Sequence, residues 1–543
     1  MRTLPSLPSL RSLALACGAA VAIDACGGAG NSGDFSGTGG SGVGGGSAVG
    51  GFGGSNAGPS GSGGAGGTPQ EKNVASTYTA PVATGNYVWI ANPTSGRVAY
   101  IDASTLQIKL VDAGDAPTYL AAVPDPKDDV AIVLNVLSLD ATVLRASKSG
   151  ITATSLPVPS SGNTWAVSAD GHWAIAWTDA RQVKDPDPVD GYQDVTVLDL
   201  AQGEQGSSDL TVGYRPVAVA FDAAGAHAYA VSQDGVTILS LVPGAPEVVK
   251  NVGVGDTPTM PSTTRDVAIT PDGSYALVRR DGVSAISVFS LSDGTRTDVP
   301  LPGIPTGLAL SADGATAVAV VRDTSPSQIA VMPMPAVVAD PTKVSLLPTD
   351  TTVGSAVLAP ASPVGFFFTN ATPSDVLVTM DTSVAMPSPI DTLLRAPILG
   401  VFPTPDAASA VILHDALDMG GSHYPSAFSL VPVALGLPPK IVGLDAAPVS
   451  IAVDPAGAHA LVAAGETDTG VYEAFLASMP SLAVQKYPLA SLPIAAGIVA
   501  GAGRGYVAQS DPDGRITFVK LATGEAQTIT GFELAAQVVD GSQ

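Results

Sequence analysis

The chain is 543 residues long, 45% hydrophobic, 13% charged and 5% aromatic, which is enough to bury a large core under a weakly charged surface. Acidic residues (48) outnumber basic ones (24), and the resulting net charge of −24 repels phosphate backbones and anionic headgroups, so a nucleic-acid partner is not expected. Both cysteines, Cys17 and Cys26, lie ahead of the globular part, so the body holds no internal disulfide and no cysteine metal site.

Residues 1–25 read as an export signal. Arg2 and Arg11 form a basic head, and Ser12 to Ala25 is a mostly apolar run too short to span a bilayer. Ile23-Asp24-Ala25-Cys26-Gly27 resembles a bacterial lipobox, with Asp24 departing from the small uncharged residue usual there. The resemblance implies cleavage before Cys26 and acylation of that cysteine, hence a membrane contact through a lipid anchor at the outer membrane, cell surface or periplasm. Ala14-Leu15-Ala16-Cys17-Gly18 is a second site of the same kind with a much shorter apolar run, and a plain signal peptide cut near Ala25 is the other alternative.

Between Gly27 and Gly67, 21 of 41 residues are glycine and almost none is charged. Such a stretch cannot recover its ordering entropy, so residues 26–77 are expected to form the lipidated cysteine followed by a disordered tether. A glycine-rich coil of this length reaches on the order of 35 Å root mean square.

From about residue 78 to 543 the chain changes to apolar runs of four to seven residues broken by Asp-Gly, Pro and Asn, which predicts many short strands and hairpins. One phrase recurs, an apolar run, a tight turn and a second apolar run. Its turns include Ser168-Ala169-Asp170-Gly171, Thr270-Pro271-Asp272-Gly273, Ser311-Ala312-Asp313-Gly314, Thr404-Pro405-Asp406-Ala407 and Asp454-Pro455-Ala456-Gly457. Turns near residues 85, 126, 170, 224, 272, 313, 361, 406, 456 and 502 are spaced by 41 to 54 residues, the period of a four-stranded blade. The fold class expected is therefore all-β, a β-propeller of about ten repeats behind a glycine-rich linker.

Trp89-Ile90-Ala91-Asn92, followed by Ser95-Gly96-Arg97-Val98-Ala99-Tyr100-Ile101-Asp102, resembles the YVTN-type propeller repeat known from lactonase-like and surface-layer proteins and akin to WD40 repeats. Phe367-Phe368-Thr369-Asn370 and Tyr506-Val507-Ala508-Gln509 are partial copies. The resemblance implies a propeller but says little about function, because such rings host enzymes and binding proteins alike. Leu534-Ala535-Ala536-Gln537-Val538-Val539-Asp540-Gly541 reads as one more first strand, expected to complete the first blade and so close the ring.

A functional site would be expected in the loops after each second strand, which carry Asp179, Gln233, Arg280, Asp281, Arg322, Asp323, His414, Asp415, Glu466 and Asp511. Two loops suggest a divalent metal ion as cofactor. Asp185, Asp187, Asp190 and Asp194 cluster oxygen ligands of the kind calcium takes, without the register or distal Glu of a calcium loop. His414, Asp415, Asp418 and His423 place imidazoles and carboxylates in one hairpin, a zinc-like set whose spacing matches no named motif. The bland alternative for both is a solvated polar loop, the more common state of such residues. Trp165, Trp173 and Trp177 fall in one repeat, where packing between blades competes with a sugar-stacking platform. No GxSxG, HExxH, P-loop or dinucleotide fingerprint is present. The expected role is a cell-envelope lipoprotein whose propeller binds an envelope protein, a polysaccharide or a small ligand; the alternative is a propeller hydrolase of the lactonase kind, needing a metal or acid/base cluster at the channel mouth.

Overall fold

The structure, a computed structural model, describes residues 80–543 except 148–149, 161, 204, 255–264, 281, 385, 434–436, 480, 533–537 and 541–543. The export signal, Cys26, the glycine-rich segment and Asp281 lie outside the described residues. Among those described, no helix is long and apolar enough to cross a membrane.

Ten antiparallel four-stranded sheets follow one another along the chain, at 82–112, 117–157, 164–211, 218–253, 265–300, 307–348, 355–393, 398–444, 448–488 and 493–530. They are the ten blades of a propeller, numbered here one to ten. All ten sequence-predicted turns join the first and second strands of a blade, including the irregular ones near residues 85, 361 and 502. Within each blade the strands pair in chain order, apart from one short hairpin inserted in blade eight. The first strands of successive blades approach one another and mark the axis, while the fourth strands lie at the rim. Two faces result. One carries the linkers between blades and the loops from second to third strands; the other carries the turns from first to second and third to fourth strands.

Because blades stack face to face, both sides of their middle strands are covered. Strands such as Asp129–Asn135 and Trp173–Trp177 therefore read as nearly unbroken apolar runs and are buried throughout. Alternate side chains go to opposite neighbours. Trp173, Ile175 and Trp177 pack onto Val219, Phe221 and Leu239 of blade four, whereas Ala174 and Ala176 face blade two beside Ile132 and Val143. The three tryptophans of blade three are thus core, at most 4% exposed.

A shared device shapes four of the inner turns. In blades three, five, six and eight a Ser or Thr hydroxyl donates to the turn Asp two residues on, as in Ser168 Oγ to Asp170 Oδ1 (2.6 Å) and Thr270 Oγ1 to Asp272 Oδ1 (2.6 Å). The same hydroxyl accepts the amide five residues on, from Trp173 at 2.9 Å and Tyr275 at 3.0 Å. These bonds hold the carboxyls of Asp313 and Asp406 below the ordinary range, the Ser311 and Thr404 hydroxyls being the main causes. Gly171 takes φ +68° and has no room for a side chain, since a Cβ would meet the Pro124 carbonyl at 1.7 Å.

Ring closure differs from the expectation. The first blade is already complete, because Val82–Ala83 supplies its inner strand and pairs with Trp89 and Val88. Val538–Asp540 instead pairs with Ala526–Thr530 as a fifth, outermost strand of blade ten. The ring closes by packing. Tyr506, Phe518 and Phe532 from the end of the chain join Val88, Ile90 and Ile101 of blade one in one cluster, and the buried Tyr506 hydroxyl donates to the Pro81 carbonyl at 3.2 Å.

Candidate functional site

The linker face is where the sequence placed its polar residues, and there the second strands end. Several of those end residues share one task. Gln509, 2% exposed, donates from Nε2 to Thr517 Oγ1 (2.8 Å), while its Oε1 accepts the amides of Ala490 and Ser491 in the incoming linker (3.1 and 3.2 Å). His414 does likewise. Its Nδ1 lies 3.2 Å from the Pro397 carbonyl in the linker and its Nε2 2.7 Å from Ser429 Oγ on the third strand. Arg280 Nη2 donates to Ser287 Oγ (3.0 Å) and Asn135 Nδ2 to Thr142 Oγ1 (2.8 Å). A polar residue ending the second strand and a hydroxyl on the third thus recur as a buried fastener of the blade end, satisfying groups that would otherwise be buried without partners.

His414 is fully buried, and loss of hydration pushes its pKa down to about 4, so it is neutral at physiological pH. A neutral ring donating to the Pro397 carbonyl through Nδ1 accepts from the Ser429 hydroxyl through Nε2, leaving no ring nitrogen for a metal. Asp415, Asp418 and His423 are exposed; Asp418 and His423 face each other across the hairpin formed by Leu417–Met419 and Ser422–Tyr424, with His423 Nδ1 2.8 Å from Asp418 Oδ1. The four residues of the zinc-like set therefore separate into one core histidine and a solvent-facing trio. The hairpin is anchored by buried Leu417, in one cluster with Ala396 and Ala427, and by Tyr424, whose ring covers Gly443.

The acidic loop of blade three is organised around a cation of the chain itself. Arg215, from the following linker, donates to the carbonyls of Asp190 (Nε, 3.1 Å) and Asp187 (Nη2, 2.8 Å). The carboxylates cap local turns instead of converging: Asp187 Oδ1 accepts the Val189 amide (2.9 Å) and Asp190 Oδ1 the Tyr192 amide (2.8 Å). Asp194 accepts the Thr211 hydroxyl at 3.1 Å, and Asp185 occupies a left-handed φ of 56°. Among the described residues, no group of three or more His, Cys, Asp or Glu is arranged to hold a metal ion.

The remaining loop residues are mostly engaged locally. Asp179 caps the short helix Ala180–Gln182 and pairs with Arg181 at 2.7 Å. Arg322 pairs with Asp323 at 3.0 Å and Arg515 with Asp511 at 3.0 Å. The Gln233 amide donates to the Tyr214 carbonyl (2.8 Å), and Glu466 ends the second strand of blade nine.

The opposite face holds a feature that sequence reading passed over. A cleft of about 540 Å³ opens between blades nine and ten, lined by Asp454, Pro455, Ala456, His459, Ala500, Gly503, Leu521 and Ala522. Its signal was available as a variant of the turn phrase, Asp454-Pro455-Ala456-Gly457-Ala458-His459, repeated in blade four as Asp222-Ala223-Ala224-Gly225-Ala226-His227.

No family model and no curated protein matches the chain. Solved structures similar to it include a eukaryotic initiation factor (12% identity over 70% of this chain and 90% of that one, TM-score 0.48). The dihydro-heme d1 dehydrogenase NirN in complex with DHE (14%, 75% and 73%, 0.40) and apo AztD from Citrobacter koseri (14%, 65% and 92%, 0.38) are others. At these scores the likenesses carry no functional argument. The ring rests on its own strand order.

Proposed function

We propose that this chain is an exported lipoprotein, acylated at Cys26, whose ten-bladed body is a binding scaffold of the cell envelope built from YVTN-type repeats. The observation that carries the reading is the pair of built projections on the linker face. Blades three and eight lie five apart in a ring of ten, hence on opposite sides of the axis, and each sends out an acidic excursion. One is the loop holding Asp185, Asp187, Asp190 and Asp194, stapled by Arg215; the other is the hairpin holding Asp415 and Asp418, footed by Leu417 and Tyr424. Loops held in shape by a rigid scaffold are the usual seat of recognition. Their charge, within a chain of −24, favours a basic partner surface, with an envelope protein ahead of a neutral polysaccharide. The hydrolase alternative needed His414 and His423 in one pocket, a convergence this geometry does not form.

The test is capture from envelope extract by the full chain, beside a variant in which 186–191 and 415–424 are replaced by short Gly-Ser turns. A partner retained by the first and lost by the second supports the reading. Equal retention by both moves binding off these projections and overturns it. Cys26→Ser is expected to release the protein from membranes; continued lipid labelling of that variant would assign the anchor to another residue.

A further inference from the structure

The fourth strand of each blade is an open sheet edge, and an open edge is a template for one more strand unless charge, proline or a covering segment blunts it. In blades one, three, four, five, seven, eight and nine that strand holds at least one charged residue. Blade six offers only four residues ending in Pro348, and the charge-free Ala526–Thr530 of blade ten is covered by Val538–Asp540. Blade two differs from all of these. Its fourth strand, Gly150–Pro157, is eight residues long, holds no charged residue, pairs without a bulge and stands uncovered among the described residues. Gly150, Thr152, Ala153, Ser155 and Pro157 are exposed along it.

This edge is symmetric about Ala153. The Val158 amide donates to the Leu139 carbonyl at 2.9 Å, and with the register that pairs Pro157 with Asp140 and Gly150 with Ser147, the even-numbered residues exchange their backbone bonds with the third strand. The amides of Ile151, Ala153 and Ser155 therefore point outward from the rim. They are evenly placed about the centre of Ile151-Thr152-Ala153-Thr154-Ser155, and Pro157, which has no amide, ends the row. An antiparallel copy of the same strand satisfies all three. Ala153 exchanges bonds with Ala153 of the second copy and Ile151 with Ser155 of the second copy, while Thr152 lies opposite Thr154 of the second copy in a favourable cross-strand pair. A foreign strand would need no such symmetry. Two bodies of net charge −24 also meet with least repulsion along a strand that carries none, and the carboxylate of Asp140 on the neighbouring strand is engaged by the hydroxyls of Ser138 and Ser155.

We propose that Gly150–Pro157 is a self-association edge, through which two copies of this chain join blade two to blade two in one continuous antiparallel sheet. The inference goes beyond the binding reading above. A fourth strand runs towards the linker face, so its antiparallel counterpart runs away from it, and the two linker faces point in opposite directions with the acidic projections of both copies uncovered. One strand edge buries less than the roughly 1,200 Å² of a stable interface, so the association is weak and reversible.

The test uses the full chain with Cys17 and Cys26 both replaced by Ser, so that neither acylation nor a native thiol joins copies. Sedimentation velocity over about 1–100 µM is expected to show a dimer fraction that rises with concentration. Ala153→Pro, at a position whose amide makes no bond within the blade, should weaken it at least about tenfold with Tm little changed. Cysteines read the register directly. In a hydrogen-bonded antiparallel pair the two α-carbons lie about 5.5 Å apart, within disulfide range. Ala153→Cys should therefore cross-link to itself under mild oxidation, Ser155→Cys should not, and chains bearing Ile151→Cys should cross-link to chains bearing Ser155→Cys. A chain monomeric throughout, a dimer that survives Ala153→Pro, or Ser155→Cys cross-linking to itself as readily as Ala153→Cys would overturn the proposal. A monomer whose rim retains another protein from envelope extract, lost in Ala153→Pro, would likewise overturn it and give the edge to a foreign strand.

Discussion

Closure by packing and closure by the terminal strand make opposite forecasts for two perturbations at the seam between blades ten and one. Tyr506 is 1% exposed, packs beside Phe518 and donates to the Pro81 carbonyl. Tyr506→Ala removes an aromatic ring from a fully packed site and leaves that carbonyl without its partner, a loss of about 3–5 kcal/mol. Deleting 538–543 instead removes three paired residues at the rim, and an outer-edge contact of that size contributes less than about 1 kcal/mol. For a body of roughly 460 residues, an unfolding entropy of about 2.1 cal/mol/K per residue gives about 1 kcal/mol per degree near the midpoint. If the ring melts as a unit, Tyr506→Ala lowers Tm by about 3–5 °C and the truncation by about 1 °C or less, measured by calorimetry at one scan rate. Tyr506→Phe separates the terms and should forfeit about 1–2 kcal/mol. A truncation that lowers Tm as far as Tyr506→Ala would refute closure by packing.

Three contacts away from the seam carry further outcomes. His414 has a folded pKa of about 4 against about 6.5 unfolded, so its stabilisation is complete above pH 6.5 and falls away as pH drops towards 4. The loss is on the order of 3 kcal/mol, and His414→Gln should flatten that limb of the stability profile measured by urea titration at each pH; an unchanged slope contradicts the assignment. Arg279 and Asp266, 3% and 6% exposed, form a buried ion pair in blade five, so Arg279→Ala removes the cation facing a buried carboxylate and should cost about 3–5 kcal/mol of unfolding free energy. Arg279→Ala as stable as wild type would show that the pair is not closed in solution. Arg215→Ala leaves the carbonyls of Asp187 and Asp190 without their donor, and limited proteolysis should then cut within 184–194 faster than in wild type while Tm changes little; equal cutting rates would mean that Arg215 does not organise the loop.

The repeat was legible because its turn is a local chemical device. A hydroxyl, an Asp and a residue able to take positive φ recur at fixed offsets, and Ala407, at φ 57°, fills the glycine place in blade eight without moving the turn. The tryptophans were legible for a similar reason, since a run of five buried residues with alternating large and small side chains can only lie between two packed faces. The closing strand was not. Any alternating apolar stretch can pair with any free edge, and the strand that already filled blade one, Val82–Ala83, is two residues long and gives no periodic signal.

The surroundings of the metal-like loops were not legible for a different reason. Asp and His near a hairpin look alike in sequence whether they face an ion, a neighbouring amide or a linker carbonyl. His414 faces the Pro397 carbonyl, 17 residues earlier in the chain, and the cation among the acidic residues of blade three arrives from Arg215 in the next linker. Neither partner lies inside the motif that drew attention.

The most direct test of the ring itself is single-particle electron microscopy of the purified full chain. End-on class averages are expected to show ten radial densities around one axis, with a continuous seam between the first and last and the extra strand at the rim of the last. Averages with fewer blades, a gap at that seam, or two separate smaller rings would contradict the account.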